Sequence, residues 1–312
     1  MDAKQLHEMQ SWTLDQKIYH SLEVIGTFVE RMGGIDKVYV SFSGGKDSAV
    51  MLDLCRRVYP NITCVFINTG NEYPEVVKYV REMKSENGIN LTIIRPRMKP
   101  REVWESVGFP LVSKEAAQQI STIRKSPDCK SSVKWLRQDN KFKLANRWRY
   151  LIDEKYDTSH KCCVMLKKQP SNEYEKETGR SPIIGIMACE SRMRETKYIQ
   201  MGDCNSFGCD KRQKSFSYPL AIWTDDDIWE YIKRFKLKIA DIYYKGASRT
   251  GCVGCGFGAY RDYEANPSLQ LLYKLYPKYY NMIMSYTNNG VTYREAMRKL
   301  KSVTGNKLPD EI

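Results

Sequence analysis

Two groups of residues in this chain have the types and spacing that chemistry requires, and the first is a phosphate-binding loop. The segment Ser41-Phe-Ser-Gly-Gly-Lys-Asp-Ser48 combines small residues, paired glycines and a lysine. Between a strand and a helix, such a segment lets backbone N–H groups converge on phosphate oxygens, while the helix N-terminus and Lys46 add positive charge. It differs from the G-x-x-x-x-G-K-[ST] loop because an aspartate follows the lysine. The pattern predicts a nucleotide-binding enzyme rather than an ordinary turn.

The second group consists of two cysteine pairs, Cys162-Cys163 and Cys252-Val-Gly-Cys255. Two thiolate pairs on separate loops supply the four ligands of a metal site. Two adjacent cysteines bind one metal ion together less readily than a C-x-x-C pair does. The spacing alone is therefore consistent with either an iron-sulfur cluster or tetrahedral zinc. Lysines beside the first pair and an arginine before the second add positive charge, which suits a site with four thiolates.

The other cysteines carry weaker signals. Cys55 and Cys64 lie on apolar patterns and are predicted to be small core residues. The spacing Cys204-x4-Cys209 is compatible with a second metal or redox pair, although no flanking residue supports ligation. Because the sequence shows no export signal, the ten cysteines are expected to be reduced thiols rather than a disulfide framework.

Strands and helices alternate around the phosphate loop. We predict strands at 38–42, 62–67, 91–94 and 183–187, and helices at 12–33, 49–57 and 76–84. This alternation indicates an α/β fold with a doubly wound, mostly parallel sheet, whose ligands bind at the carboxyl ends of the strands. The loops 41–48 and 68–74 both fall at such ends.

The 312 residues are expected to form three parts. These are an N-terminal helical segment over 1–34, a nucleotide-binding α/β domain over 35–265 and a helical C-terminal region over 266–312. A helical insert at about 114–161 contains twelve Lys or Arg and six Asp or Glu residues, with Trp135 and Trp148 among them. It is either a docking surface where cations contact phosphates and tryptophans stack on bases, or a solvated helical face with its aromatic residues in the core.

Composition limits the cellular setting and the partners. The net charge of +13 suits polyanions and anionic cofactors, and it also serves solubility. No apolar stretch approaches the length of a membrane span, and the first residues lack the layout of a signal peptide. We therefore expect a cytoplasmic protein with no membrane partner.

Several stretches resemble one known family. The loop is similar to the pyrophosphatase (PP) loop of the adenine-nucleotide alpha-hydrolase superfamily. The segments 66–75, 184–192 and 218–229 narrow the resemblance to the phosphoadenosine phosphosulfate (PAPS) reductase family, with Asn68 replacing the usual aspartate. The resemblance implies a nucleotide site made by Ser41, Ser43, Gly44, Gly45, Lys46, Asp47, Ser48, Thr69 and Gly70.

The same resemblance implies that Lys46, Asp47, Glu190 and Arg192 are the catalytic residues. Asp47 has an alternative role as a helix cap, and Glu190 has one as a structural carboxylate paired with Arg192 or Arg194. The cysteine layout resembles that of the iron-sulfur branch, which implies a 4Fe-4S cluster held by Cys162, Cys163, Cys252 and Cys255.

One departure from the family changes the expected reaction. The reductases carry a nucleophilic cysteine in a C-terminal tail, whereas residues 256–312 here contain no cysteine. We therefore expect an ATP-dependent adenylating sulfurtransferase that releases pyrophosphate with the help of Mg²⁺, activates an acceptor such as a nucleic acid, and uses a sulfur donor to displace AMP. One alternative is an adenosine phosphosulfate (APS) or PAPS reductase that uses the thiol of a thioredoxin-like partner, of Cys204 or of Cys209. The other alternative is a non-catalytic subunit or sensor.

Overall fold

A computed structural model describes residues 2–86, 88–137, 139–208, 214–261 and 267–311 of the protein. The chain divides into two compact units. The first contains Met1–Asn68, Pro74–Ile94 and Ser171–Tyr243, and the second contains Thr69–Tyr73, Arg95–Pro170 and Tyr244–Ile312. This grouping differs from the three-part division expected from the sequence, because the N-terminal helices belong with the sheet and the basic insert belongs with the C-terminal helices.

The described residues form eight strands and fourteen α-helices. The strands are β1 Val38–Ser41, β2 Cys64–Ile67, β3 Leu91–Ile94, β4 Ser181–Ile184, β5 Asn205–Ser206, β6 Phe216–Ser217, β7 Thr287–Asn288 and β8 Val291–Thr292. The helices are α1 Ala3–Gln10, α2 Leu14–Met32, α3 Lys46–Val58, α4 Pro74–Glu86, α5 Pro100–Val107, α6 Lys114–Lys125, α7 Lys130–Leu136, α8 Lys161–Cys163, α9 Gln169–Thr178, α10 Arg192–Met201, α11 Asp225–Arg234, α12 Ser268–Leu275, α13 Pro277–Met284 and α14 Tyr293–Ser302.

The first unit contains a six-stranded sheet in the order β3-β2-β1-β4-β6-β5. All neighbouring strands are parallel except β5, which pairs antiparallel with β6 at the edge. The predicted α/β class with a mostly parallel sheet is confirmed. The chain order reverses between β1 and β4, and in open parallel sheets this switch point is where ligands bind.

The strand predicted at 183–187 is shifted in the structure. β4 covers Ser181–Ile184, and the amide of Ile186 donates to the carbonyl of Ile184, which turns the chain out of the sheet. The sheet also continues past β4 into β6 and β5. These strands have only two residues each, which is too short for an alternating apolar pattern to appear in the sequence.

The second unit is helical apart from the small β7–β8 hairpin. Its core contains a set of packed aromatic rings in which Trp104 lies 4.7 Å from Tyr293 and 6.3 Å from Phe109, measured between ring centroids. A glycine with φ of 97° at position 108 ends α5, where a Cβ would meet the carbonyl oxygen of Asp157 at 2.3 Å. This close backbone approach requires glycine.

A π-helical turn at Val164–Lys168 separates α8 from α9. Pro170 follows this turn, and a proline has no N–H to donate to the carbonyl four residues before it. The wider turn, which directly follows the double cysteine, accommodates this proline in the helical segment. Within the described residues, no helix is both long and apolar enough to cross a membrane.

Candidate functional site

The phosphate loop of the first unit connects the buried strand β1 to α3. Gly44 has a φ of 72°, and a Cβ there would lie 2.7 Å from the Cγ1 of Val76 and 3.0 Å from the Cγ2 of Val80. The loop is closed by Ser48, whose hydroxyl donates to the carbonyl of Gly45 at 2.8 Å and accepts from the amide of Ser43 at 3.2 Å. Glycine is thus required at position 44 on two grounds, its backbone conformation and the close helix α4.

No side chain caps the N-terminus of α3, where Gly45 is the N-cap residue. Asp47 therefore does not cap the helix; it lies in the first turn and accepts a hydrogen bond from Lys46 Nζ at 2.8 Å. The Lys46 amide donates to the hydroxyl of Tyr243 at 2.9 Å. An uncapped helix N-terminus with a lysine in its first turn is suited to bind an anion.

Lys46 is 3% exposed, and its ammonium group forms ion pairs with Asp47 and Asp225. Burial opposes the charged form of this lysine, but the hydrogen bonds that its ammonium donates to the two carboxylates outweigh this effect, so the pKa of Lys46 is raised. The side chain is therefore charged at neutral pH. Asp225 is also held by the indole N–H of Trp229, at 3.2 Å.

Sequence reasoning did not select Asp225 and Tyr243 as site residues. Asp225 lies in the block 218–229 that resembles the family, so a signal for it existed. Tyr243 is separated from the loop by almost 200 residues, and no local pattern indicates that its hydroxyl meets the Lys46 amide.

The chain after β4 lies against the phosphate loop. A Cβ at Gly185 would be 3.2 Å from the carbonyl oxygen of Asp47, so the two loops meet at the switch point of the sheet. Glu190 forms an ion pair with Arg194 and accepts from the Met187 amide at 3.3 Å. The structure thus shows the pairing with Arg194 that the sequence left as an alternative. Arg192 is exposed. Catalytic roles for Glu190 and Arg192 remain predictions.

Thr69 and Gly70 belong to the second unit, in the short segment Thr69–Tyr73. The hydroxyl of Thr69 donates to Glu72 at 2.6 Å. The carbonyl of Asn71 accepts from the Val253 amide at 2.8 Å, which ties this segment to the C-x-x-C loop. Two features that the sequence treats separately, the segment after β2 and the second cysteine pair, are therefore in contact.

The second unit also gathers the four cysteines predicted to bind metal. Trp104 donates its indole N–H to Cys162 Sγ at 3.2 Å. The C-x-x-C loop is packed tightly: a Cβ at Gly256 would meet the Pro110 carbonyl oxygen at 2.4 Å and the Tyr293 hydroxyl at 2.6 Å. The Tyr293 hydroxyl donates to the Gly254 carbonyl at 2.9 Å. The aromatic core thus fixes the backbone that presents the second pair.

The thiols interact electrostatically with one another and with Lys167. Desolvation and the neighbouring cysteines raise the pKa of Cys162 and of Cys255 to about 12. Desolvation also raises the pKa of Cys252, against the effect of the Lys167 ammonium. The negative charge of Cys252 in turn raises the pKa of Lys167. Among the described residues, no three His, Cys, Asp or Glu side chains converge on one point where a single metal ion would bind.

Comparison with known proteins identifies the family. A model of the phosphoadenosine phosphosulfate reductase domain matches residues 37–143 and 130–256, which is more than half of the chain. The chain belongs to the PAPS reductase domain family.

The sequence relatives of this PAPS reductase domain include uncharacterised proteins and named enzymes. An uncharacterised protein of Methanocaldococcus jannaschii is 27% identical over 253 residues, which cover 80% of this chain and 42% of that protein. The adenosine 5'-phosphosulfate reductase of Staphylococcus haemolyticus is 22% identical over 221 residues, 70% of each chain. The PAPS reductase structure from Candida auris has a TM-score of 0.45 and 15% identity, and the match covers 81% of this chain and 96% of that one. The chain spans less than half the length of the archaeal relative.

The remaining cysteines of this PAPS reductase domain do not form a second site in the described residues. Cys55 and Cys64 are fully buried, as predicted. Cys204 is 1% exposed, and burial raises its pKa to about 12, so it is poorly suited to be a nucleophile. Its proposed partner Cys209 lies outside the described residues.

The basic insert mixes structural and exposed cations. Trp148 is 4% exposed and packs on Tyr260 at 5.0 Å, so it cannot stack on a base. Arg124 donates to the carbonyls of Glu154 and Tyr156 at 2.8 Å, which makes it part of the fold. Of the two interpretations that the sequence left open for Trp148, the structure supports the one in which its ring is in the core.

Proposed function

We propose that this protein is an ATP-dependent adenylating enzyme of the sulfurtransferase type. The observation that carries this proposal is the phosphate loop, where a charged, buried lysine stands at an uncapped helix N-terminus at the switch point of a parallel sheet. Such a site positions phosphates and neutralises their charge, and adenylation requires little else from the protein.

The proposed reaction has two steps. An acceptor oxygen attacks the α-phosphorus of ATP, the bond to the β-phosphate oxygen breaks, and pyrophosphate leaves with Lys46 and the loop amides stabilising its charge. A sulfur donor then attacks the acceptor carbon, the carbon–oxygen bond breaks, and AMP leaves. Mg²⁺ would balance the remaining phosphate charge. The acceptor is proposed to be a nucleic acid, in line with the net charge of +13.

We also propose that Cys162, Cys163, Cys252 and Cys255 hold a 4Fe-4S cluster. The donor set fits: four thiols lie in one unit, close enough to shift one another's pKa, with the Lys167 ammonium beside Cys252 and the Trp104 N–H on Cys162. When bound, such a cluster supplies redox or electrostatic chemistry. The Lys167 ammonium would favour the thiolate form of Cys252 and so offset part of the effect of its burial, and Trp104 would fix the orientation of Cys162.

A sulfonucleotide reductase is the second candidate. The match to the Staphylococcus haemolyticus adenosine 5'-phosphosulfate reductase over 70% of both chains favours it. Because Cys204 is buried, such an enzyme would need a thiol from a thioredoxin-like reductant or from Cys209. Sulfite released from APS only when thioredoxin is present would identify this activity.

The proposal is tested by measuring ATP affinity and pyrophosphate release for Lys46→Ala. Loss of one charge-assisted hydrogen bond to phosphate corresponds to about 10- to 140-fold weaker binding. Lys46→Ala removes the attraction between the lysine and phosphate, and it also leaves Asp47 and Asp225 unpaired, so that they repel phosphate. The double variant Lys46→Ala with Asp225→Asn removes part of this repulsion and so separates the two effects. Lys37→Ala, an exposed lysine before β1, is the matched control. Unchanged ATP affinity in Lys46→Ala would contradict the assignment of the loop.

A further inference from the structure

Two exposed lysines, Lys134 and Lys141, lie beside one exposed aromatic ring in the basic insert. We define the Phe142 surface as Lys134, Arg137, Lys141, Phe142 and Arg147, all of them exposed. We propose that this surface binds a single-stranded segment of nucleic acid, with one base stacked on Phe142. The inference rests on the proposed function in taking the acceptor to be a nucleic acid.

Among the described residues of the insert, Phe142 is the exposed aromatic side chain, whereas Trp135 and Tyr150 are only partly exposed. Its side chain is 46% exposed, whereas Trp148 is 4% exposed. The ammonium groups of Lys134 and Lys141 lie 4.7 Å and 5.2 Å from the centre of the Phe142 ring. Both ammonium groups are in cation–π contact with the ring, so a base that stacks on Phe142 would displace them, and they would then be available to the phosphates that flank that base.

The loop that presents Phe142 is held by hydrogen bonds on both sides. The side chain of Asn140 accepts from the Phe142 amide at 3.0 Å and donates to the Lys134 carbonyl at 2.7 Å. The side-chain amide of Gln119 donates to the Phe142 carbonyl at 3.0 Å. An exposed ring on a fixed backbone loses little conformational entropy on binding, which favours a binding role over incidental exposure.

A groove of about 230 Å³ lies beside the ring. Its walls include Phe142, Trp148 and Tyr260, together with Lys141 and Lys143, and Glu115 is the carboxylate among the described lining residues. This volume is below the roughly 300 Å³ at which pockets for whole drug-sized ligands begin, so it suits one flat ring system. A base stacked inside a duplex cannot enter it, and the groove therefore favours an unpaired base.

The segment that contains Phe142 lies where the two matches to the family model overlap. The family model matches residues 37–143 and 130–256, two segments that overlap over 130–143. The model therefore does not run through this part of the chain as one continuous match. The Phe142 surface lies outside the phosphate loop and the cysteine pairs, and a role in recognising the acceptor is compatible with that place.

The test measures binding of a short fluorescent single-stranded RNA by anisotropy. Phe142→Ala is expected to weaken binding about 5- to 140-fold, as loss of one stacked base does, while Phe142→Tyr keeps the affinity. Lys134→Gln with Lys141→Gln should lower the slope of log K against log salt by about 1.4, since each phosphate contact contributes about 0.7 for single strands. Lys176→Gln with Lys233→Gln removes the same charge elsewhere and should leave the slope unchanged.

Measuring the melting temperature of each variant would verify that it is folded. RNA binding by Phe142→Ala equal to that of the original protein overturns the inference, and so does equal or tighter binding of a duplex of the same sequence. The adenylation proposal fails separately, through ATP and Lys46. A protein that binds RNA through Phe142 but never releases pyrophosphate refutes only that proposal.

Discussion

At the scale of single residues, environment separates thiols that look alike in the sequence. Cys129 is partly exposed, and the hydroxyl and amide of Ser132 donate to its sulfur, which lowers the pKa of this thiol. Cys189 is exposed, but desolvation and Asp225 raise its pKa. The two residues therefore differ in thiolate content at the same pH.

We predict that Cys129 is alkylated by iodoacetamide at lower pH than Cys189. The reactive thiolate of Cys129 forms below the ordinary thiol pKa and that of Cys189 above it, so the midpoint of labelling against pH is lower for Cys129. Peptide mass spectrometry after timed labelling gives both midpoints. Ser132→Ala should raise the Cys129 midpoint and leave that of Cys189 in place; coinciding midpoints in the original protein would refute the prediction.

The types of its residues were enough to indicate the phosphate loop, because the residues that form it are neighbours in the sequence. Gly44, Lys46 and Ser48 are adjacent in sequence, and their roles in the loop follow from one strand-loop-helix unit. The pairing of Asp225 with Lys46 and the hydrogen bonds of Arg124 to backbone carbonyls depend on contacts between residues that are far apart in sequence. Such contacts have no sequence periodicity, so no pattern in the insert distinguishes a cation bound to carbonyls from an exposed one.

At the scale of elements, the insert is a packed structure with one exposed edge. Its 3-10 helix at Asn146–Ile152 buries Trp148 and Leu151 against neighbours that include Tyr260. The sequence predicted helices here but could not assign their inner faces, since aromatic and basic residues alternate without a clear helical period. Packing decided that Trp148 is inside and Phe142 outside.

We predict that Trp148→Ala lowers the free energy of unfolding by about 3 to 5 kcal/mol, because it leaves a cavity where a buried ring was. Phe142→Ala, at an exposed site of the same insert, should change it by less than about 1 kcal/mol. Urea denaturation of both variants measures the difference. Equal losses would mean that the two rings share one environment, contrary to their exposures.

At the scale of the whole molecule, the two chemical centres belong to different compact units. The phosphate loop lies in the unit with the six-stranded sheet, and the four cysteines lie in the helical unit. The sequence predicted the sheet and its helices well, because periodicity is read over short windows. It did not predict the assembly of the helical unit from three separated segments, since that depends on which distant faces pack together.

We predict that anaerobically purified protein contains about four iron atoms per chain, and that removing them affects the helical unit selectively. Hydrogen exchange should then quicken around α5 and the C-x-x-C loop, while amides of β1 and β4 keep their protection. Cys255→Ser should lose the iron, and Cys64→Ser, a buried control in the sheet, should retain it. Zinc in place of iron, or uniform loss of protection, would contradict this.

The two carboxylates on Lys46 have a consequence for selectivity among anions. In the resting loop they already occupy the lysine, so an incoming ligand must displace Asp225 before it gains that charge. Orthophosphate would only replace the carboxylate of Asp225 on Lys46 and would gain little binding energy. A polyphosphate would also accept hydrogen bonds from the loop amides and the α3 N-terminus. If the loop binds phosphates as proposed, the internal ion pair would act as a threshold that keeps abundant simple anions from saturating the loop and leaves it available to longer phosphate chains.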